Sequence, residues 1–165
     1  MIEELTYGER LNSLSDAMNE GISILEKIEE VLKEINQCER YPLTQIGIQK
    51  EKGVLHFNFH WVKLFVKFSL IGRPFQDNRK GGIIYTYQLT WGRYELKNGY
   101  EIEKPMFNDC EVKYSSLGLM LSLSSRESAR LDGDTKDKRD RGFLYRIIDQ
   151  IILKCLPETV TKIEK

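Results

Sequence analysis

The sequence predicts an α+β domain in which a long N-terminal helix precedes a mainly antiparallel sheet of about five to seven strands, and a C-terminal helix packs on the same sheet face. Three observations carry this prediction. Apolar residues recur at three-four spacing from Glu9 to Gln37, alternate with period two for about eighty residues after Pro42, and return to helical spacing from Phe143 to Cys155.

In the first segment Leu11, Leu14, Met18, Leu25, Ile28, Leu32 and Ile35 form one face, widened by Ala17, Ile24 and Val31 and broken by Gly21. Three apolar positions per heptad suit a helix lying on a sheet better than a narrow coiled-coil seam. A helix over 9–37 is about 40 Å long, more than a small sheet covers, so its overhang is available to a partner or to a second copy in a homodimer.

The alternating region opens with Ile46 and Ile48, a turn at Glu51-Lys52-Gly53, and a strand with Leu55, Phe57, Phe59 and Trp61 on one face and His56, Asn58 and His60 on the other. The phase then flips: Val62, Leu64, Val66, Phe68 and Leu70 form the buried set, opposite Lys63 and Lys67. Such a slip needs a bulge or a new strand, and with no Gly or Pro near His60 a bulged, bent strand is expected. The loop 72–82 ends this strand, and the next places Tyr85, Tyr87, Leu89 and Trp91 on one side. Asn98-Gly99, flanked by Tyr94/Leu96 and Tyr100/Ile102, is the clearest hairpin signal in the chain. Cys110 to Tyr114 and the alternating Leu117, Leu119, Leu121 and Leu123 complete the sheet. The charged stretch 125–139 reads as an exposed loop, Asp140 as a helix cap, and Pro157 as a helix stop. One domain over 1–165 is expected, with helix 9–37, sheet 44–124, loop 125–139 and helix 140–156.

Composition narrows the function. No stretch approaches the roughly 20 apolar residues of a membrane helix, and Met1 to Arg10 holds three Glu where a signal peptide needs bases, so a cytoplasmic protein without a membrane partner is expected. Cys38, Cys110 and Cys155 are odd in number and far apart, which fits buried thiols rather than a disulfide framework or a thiolate metal site. Net charge is zero, yet residues 1–40 hold ten acids against four bases. The remainder is correspondingly basic: an acidic helix beside a basic sheet, or a basic working surface.

Several constellations in the chain have the residue types of functional sites. His56 and His60 are four apart on a strand, a span of roughly 13 Å that no single metal bridges. Glu111-Val112-Lys113 fits the (Asp/Glu)-x-Lys pattern of metal-dependent nucleases, with Asp109 or Asp77 as a further carboxylate, but Glu95-Leu96-Lys97 and Asp134-Thr135-Lys136 match it equally. In loop 72–82, Arg73, Arg79 and Lys80 beside glycines are suited to a phosphate, although the loop joins two strands and is not a Walker motif. Tyr85, Tyr87 and Trp91 near Arg93 resemble a base-stacking platform, but the same alternation describes a sheet burying its aromatic side under a helix. No cofactor motif and no Gly-x-Ser-x-Gly appear. The expectation is therefore a non-enzymatic interaction protein, such as a small inhibitor, immunity-type or adaptor domain, with a protein partner. A nucleic-acid or nucleotide binder is the alternative and a metal-dependent nuclease the third reading.

Overall fold

The computed structural model describes residues 7–37, 42–77, 82–115, 118–124, 127–132 and 138–158. Its elements are helix α1 (Tyr7–Gln37), strands β1 (Leu43–Gln49), β2 (Val54–Phe59), β3 (Val62–Asp77), β4 (Gly82–Lys97), β5 (Tyr100–Phe107), β6 (Glu111–Ser115), β7 (Gly118–Ser122) and β8 (Ser128–Arg130), and helix α2 (Lys138–Cys155). This is the expected α+β order, with a curled antiparallel sheet in the order β1-β2-β3-β4-β6-β7-β8 and β5 as a branch on β4.

The branch arises because β4 is sixteen residues long and its two halves have different neighbours. On one side it pairs with β3 along most of its length. On the other, Thr86 to Gln88 pair with β6, whereas Trp91 to Lys97 pair with β5. The β4–β5 hairpin therefore continues past the main body of the sheet.

Both helices feed one core. Ile24, Leu25, Ile28, Val31, Leu32 and Ile35 of α1 and Leu144, Ile147, Ile148, Ile151 and Ile152 of α2 are buried against Leu55, Phe57, Leu64, Val66, Leu89 and Leu121 of the sheet. α1 covers the β1–β3 side and α2 covers β4, β5 and β8. Gly21 does more than interrupt the α1 stripe. A Cβ there would overlap the Phe68 ring, so the missing side chain is the slot into which Phe68 packs. N-terminal to that slot, Leu14 and Met18 of the same helix stay exposed, the overhang that helix length implied.

Four local expectations change. The phase flip at His60 is not a bulge: His60 and Trp61 form a two-residue loop between separate, antiparallel strands, with Phe59 opposite Val62. His60 takes the left-handed conformation, φ 54°, that a hairpin turn needs and that histidine tolerates better than most residues. Trp61 consequently leaves the face of Leu55 and Phe57 for solvent. The strand expected to end at Gly72 runs on to Asp77, with a register shift between Ile71 and Phe75. Within the expected loop 125–139, Ser128–Arg130 joins the sheet edge, because Ala129 and Leu131 are apolar residues that the core takes in. Finally, α2 starts at Lys138, so Asp140 lies inside the helix rather than capping it.

Candidate functional site

The sheet face turned away from the helices carries an ordered layer across β2, β3, β4 and β5. Its centre is Phe65, buried although it alternates with Lys63 and Lys67. Burial there is possible because Gly92 lies directly across on β4, where a Cβ would come 2.7 Å from the Phe65 ring. The Tyr94 ring packs 5.1 Å from Phe65 and 5.4 Å from His56, and its hydroxyl lies 3.0 Å from His56 Nε2. Lys63 and Lys67 cross these rings to reach Glu101 at 3.2 Å and Glu103 at 2.5 Å on β5, with Lys63 Nζ 4.9 Å from the Tyr94 centroid. Burial, then the two glutamates, pushes the Tyr94 hydroxyl up to about 12. Burial lowers the His56 imidazole, with Lys63 acting in the same direction. This layer is satisfied within itself and fastens β5 to β3 across β4.

Beyond it, among the described residues, the β4–β5 hairpin is uncovered. Asn98 and Gly99 both have positive φ, 53° and 82°, the type I′ signature that the Asn-Gly pair predicted. Leu96 is 77% exposed, Tyr100 75%, Ile102 44% and Met106 37%. Cross-strand register places Leu96 with Glu101 on the outer face, and Tyr100 and Ile102 with Lys97 and Glu95 on the helix side. That side is uncovered because α2 ends at Cys155, where Arg93 Nη1 donates to the Cys155 carbonyl at 3.0 Å. Among the described residues β5 pairs with β4 alone, so its other edge is open.

The stacking platform expected of β4 is core instead. Tyr85, Tyr87 and Trp91 are buried, because the helices claim the aromatic side of the strand. The Tyr87 hydroxyl donates to the Ala17 carbonyl of α1 at 2.5 Å, and burial raises its pKa strongly. Trp91 Nε1 is buried beside the Cys110 thiol and has no other hydrogen-bond partner among the described residues. Arg93, the expected cation of that platform, is buried and serves as the C-terminal cap of α2. It also pairs with Glu95 at 2.8 Å and holds that carboxyl below its usual range. Arg79 and Lys80 lie outside the described residues, as does the side chain of Arg73, which falls on β3.

Glu111 and Lys113 are exposed on β6 and pair with Gln88 and Thr86. Asp109 does not turn toward them. Its carboxylate accepts from the backbone N–H of Ser124 at 3.2 Å and from the Ser124 hydroxyl. The side chain of Asp77 lies outside the described residues, and among those described no three His, Cys, Asp or Glu side chains cluster as metal ligands would. Cys110 and Cys155 are buried free thiols pushed up to about 12 by burial, while Cys38 lies outside the described residues. A shallow groove of about 500 Å³ lined by Asp16, Asn19, Glu20, Ser23 and Tyr85 runs beside α1. Burial and then Asp16 raise the Glu20 carboxyl there. Among the described residues no helix is long and apolar enough to cross a membrane.

Sequence reasoning named Leu96, Tyr100 and Ile102 as hairpin flanks and stopped short of a role for them. The signal was present: register across a two-residue turn puts Leu96 and Ile102 on opposite faces, and a projecting hairpin cannot bury both. Comparison with known protein families, with curated proteins and with solved structures finds no match to this chain.

Proposed function

We propose that this protein is a protein-binding domain whose contact surface is the β4–β5 hairpin. One observation carries the reading: of the eight large apolar side chains exposed among the described residues, four sit on this hairpin, Leu96, Tyr100, Ile102 and Met106. Isolated exposed apolar residues are ordinary, but a concentration on one projecting element is the usual mark of a protein interface. Tyrosine and methionine are enriched in such contacts, and Tyr100 offers a large apolar ring with a polar tip. The scaffold suits the task, since the Lys63–Glu101 and Lys67–Glu103 bridges hold the hairpin against the sheet and limit the ordering cost of binding.

The test is affinity recovery from cell lysate with three proteins: wild type, the double variant Tyr100→Asp/Ile102→Asp, and Leu14→Ser as a control at an exposed apolar residue on α1. The expected result is one protein held near stoichiometrically by wild type and by the control and lost from the double variant, while circular dichroism stays unchanged. Recovery of no such protein, or its equal retention by the double variant, would overturn the assignment.

A further inference from the structure

Among the described residues the edge of β5 away from β4 is unpaired. Natural sheet edges are blunted by lysine, proline or a bulge. On β5 those devices gather at one end, with Lys104, Pro105 and the register shift opposite Trp91 and Gly92. Tyr100 to Glu103 has no lysine, proline or bulge, its two charges, Glu101 and Glu103, are paired with Lys63 and Lys67 on the outer face, and every residue of that stretch is exposed. We infer that this edge takes up an extended segment of the partner as an added antiparallel strand, and that the segment alternates apolar with basic residues. The inference rests on the hairpin being a protein interface and specifies the occupant.

The alternation follows from the two faces of β5. Residues of an added strand stand beside the residues they oppose, on the same face. On the helix side the guest meets Tyr100 and Ile102, beyond the end of α2, and apolar side chains there would complete the face that α2 leaves bare. On the outer side it meets Glu101 and Glu103, whose side chains remain 52% and 43% exposed despite their lysine partners. Basic guest residues would add a second cation to each carboxylate. Pro105 has no N–H to offer, so pairing stops there.

A second copy of this chain is the obvious competitor for an open edge, and charge argues against it. A two-fold pairing that keeps equivalent faces together must be centred on a residue. Centred on 101, 102 or 103 it opposes glutamate to glutamate, and centred on 104 it opposes Lys104 to itself. The lysine bridges soften these repulsions without turning them into attraction.

The experiment uses the full-length protein and fluorescein-labelled eight-residue peptides alternating Val with Lys or Val with Glu, read by fluorescence anisotropy. The Val/Lys peptide should bind about tenfold tighter. Glu101→Gln/Glu103→Gln should remove the preference. Two N-methylated forms of the Val/Lys peptide, blocking alternate amides in the two possible phases, should differ, because only one set of amides faces β5 in a strand; loss in one form alone supports strand addition. Equal binding of the Lys and Glu peptides, equal loss in both N-methylated forms, or no peptide binding would overturn the inference. If a lysate partner is still lost from Tyr100→Asp/Ile102→Asp while no peptide binds, the hairpin remains an interface and only strand addition falls. A dimer by light scattering that the same double variant disperses would overturn the choice of occupant.

Discussion

Phe68 is held between two glycines that do different work. Gly53, at φ 63°, makes the β1–β2 turn and approaches one side of the ring, while Gly21 in α1 leaves the space that the other side fills. The Tyr87 ring stands edge-on 5.7 Å away, so Phe68 has little room to swing. Gly21→Ala should gain about 1 kcal/mol of helix propensity and lose roughly 1–3 kcal/mol to overpacking. We expect a net loss by urea denaturation and its recovery in Gly21→Ala/Phe68→Leu; a more stable single variant would show that the ring yields. His56 supplies a second residue-level test. Its folded pKa lies below the unfolded value of about 6.5. The unfolded chain therefore binds the proton more readily, and stability falls as pH drops from about 6.5 through the folded pKa. His56→Gln should flatten that part of the stability–pH curve, and NMR titration of the imidazole should give a midpoint below that of an unfolded peptide. Identical curves for the two proteins would refute the linkage.

Hairpins are the elements on which sequence signals succeeded and failed most clearly. Asn98-Gly99 announces its turn because both residues tolerate positive φ. His60-Trp61 makes a turn of equal length with no such announcement, since only His60 needs the left-handed region and histidine is an uncommon occupant of it. His60→Gly should therefore be neutral or stabilising, whereas His60→Val should cost about 1–2 kcal/mol, the penalty of a side chain at positive φ, raised for a branched one. Comparison of unfolding midpoints checks this, and equal stability of the two variants would mean that the loop relaxes to another conformation. The β4–β5 hairpin was legible in its turn and register but not in its exposure. Exposure depends on where α2 stops, and Arg93, more than thirty residues before the helix in sequence, receives its last turn.

At the scale of the whole molecule, the described residues of the acidic N-terminal segment and of the basic remainder do not meet as a charge layer. Among the described residues the direct ion pair from α1 to the rest of the chain is Glu34 with Arg141. Arg141 Nε and Nη2 bind the Glu34 carboxylate at 3.1 and 2.8 Å, Nη1 binds the Leu131 carbonyl at 3.2 Å, and the Tyr145 hydroxyl donates to Glu34 at 2.6 Å. One arginine thus ties α1, α2 and the chain leaving β8 together. Because Arg141 is nearly buried and Glu34 partly solvated, Arg141→Met should cost about 2–3 kcal/mol, somewhat less than breaking a fully buried pair. Arg141→Met/Glu34→Leu should regain much of it. Guanidinium denaturation of the single and double variants measures this, and additive losses would mean that the pair is not coupled.

The sequence by itself determined the class of fold and most of the aliphatic core, because period 3.6 and period 2 are written into neighbouring residues and set the apolar faces of α1, β2 to β4 and α2. It also carried both readings of Tyr85, Tyr87 and Trp91, since alternation is the same for a platform and for a core. Only the tertiary structure decided between them, by laying the helices on that face. It likewise decided that Phe65 is buried on the outer side, that Arg93 caps a helix, and that Leu96, Tyr100 and Ile102 are left exposed. Each of these depends on which distant segment arrives above a residue and where that segment ends, and local periodicity holds no record of either.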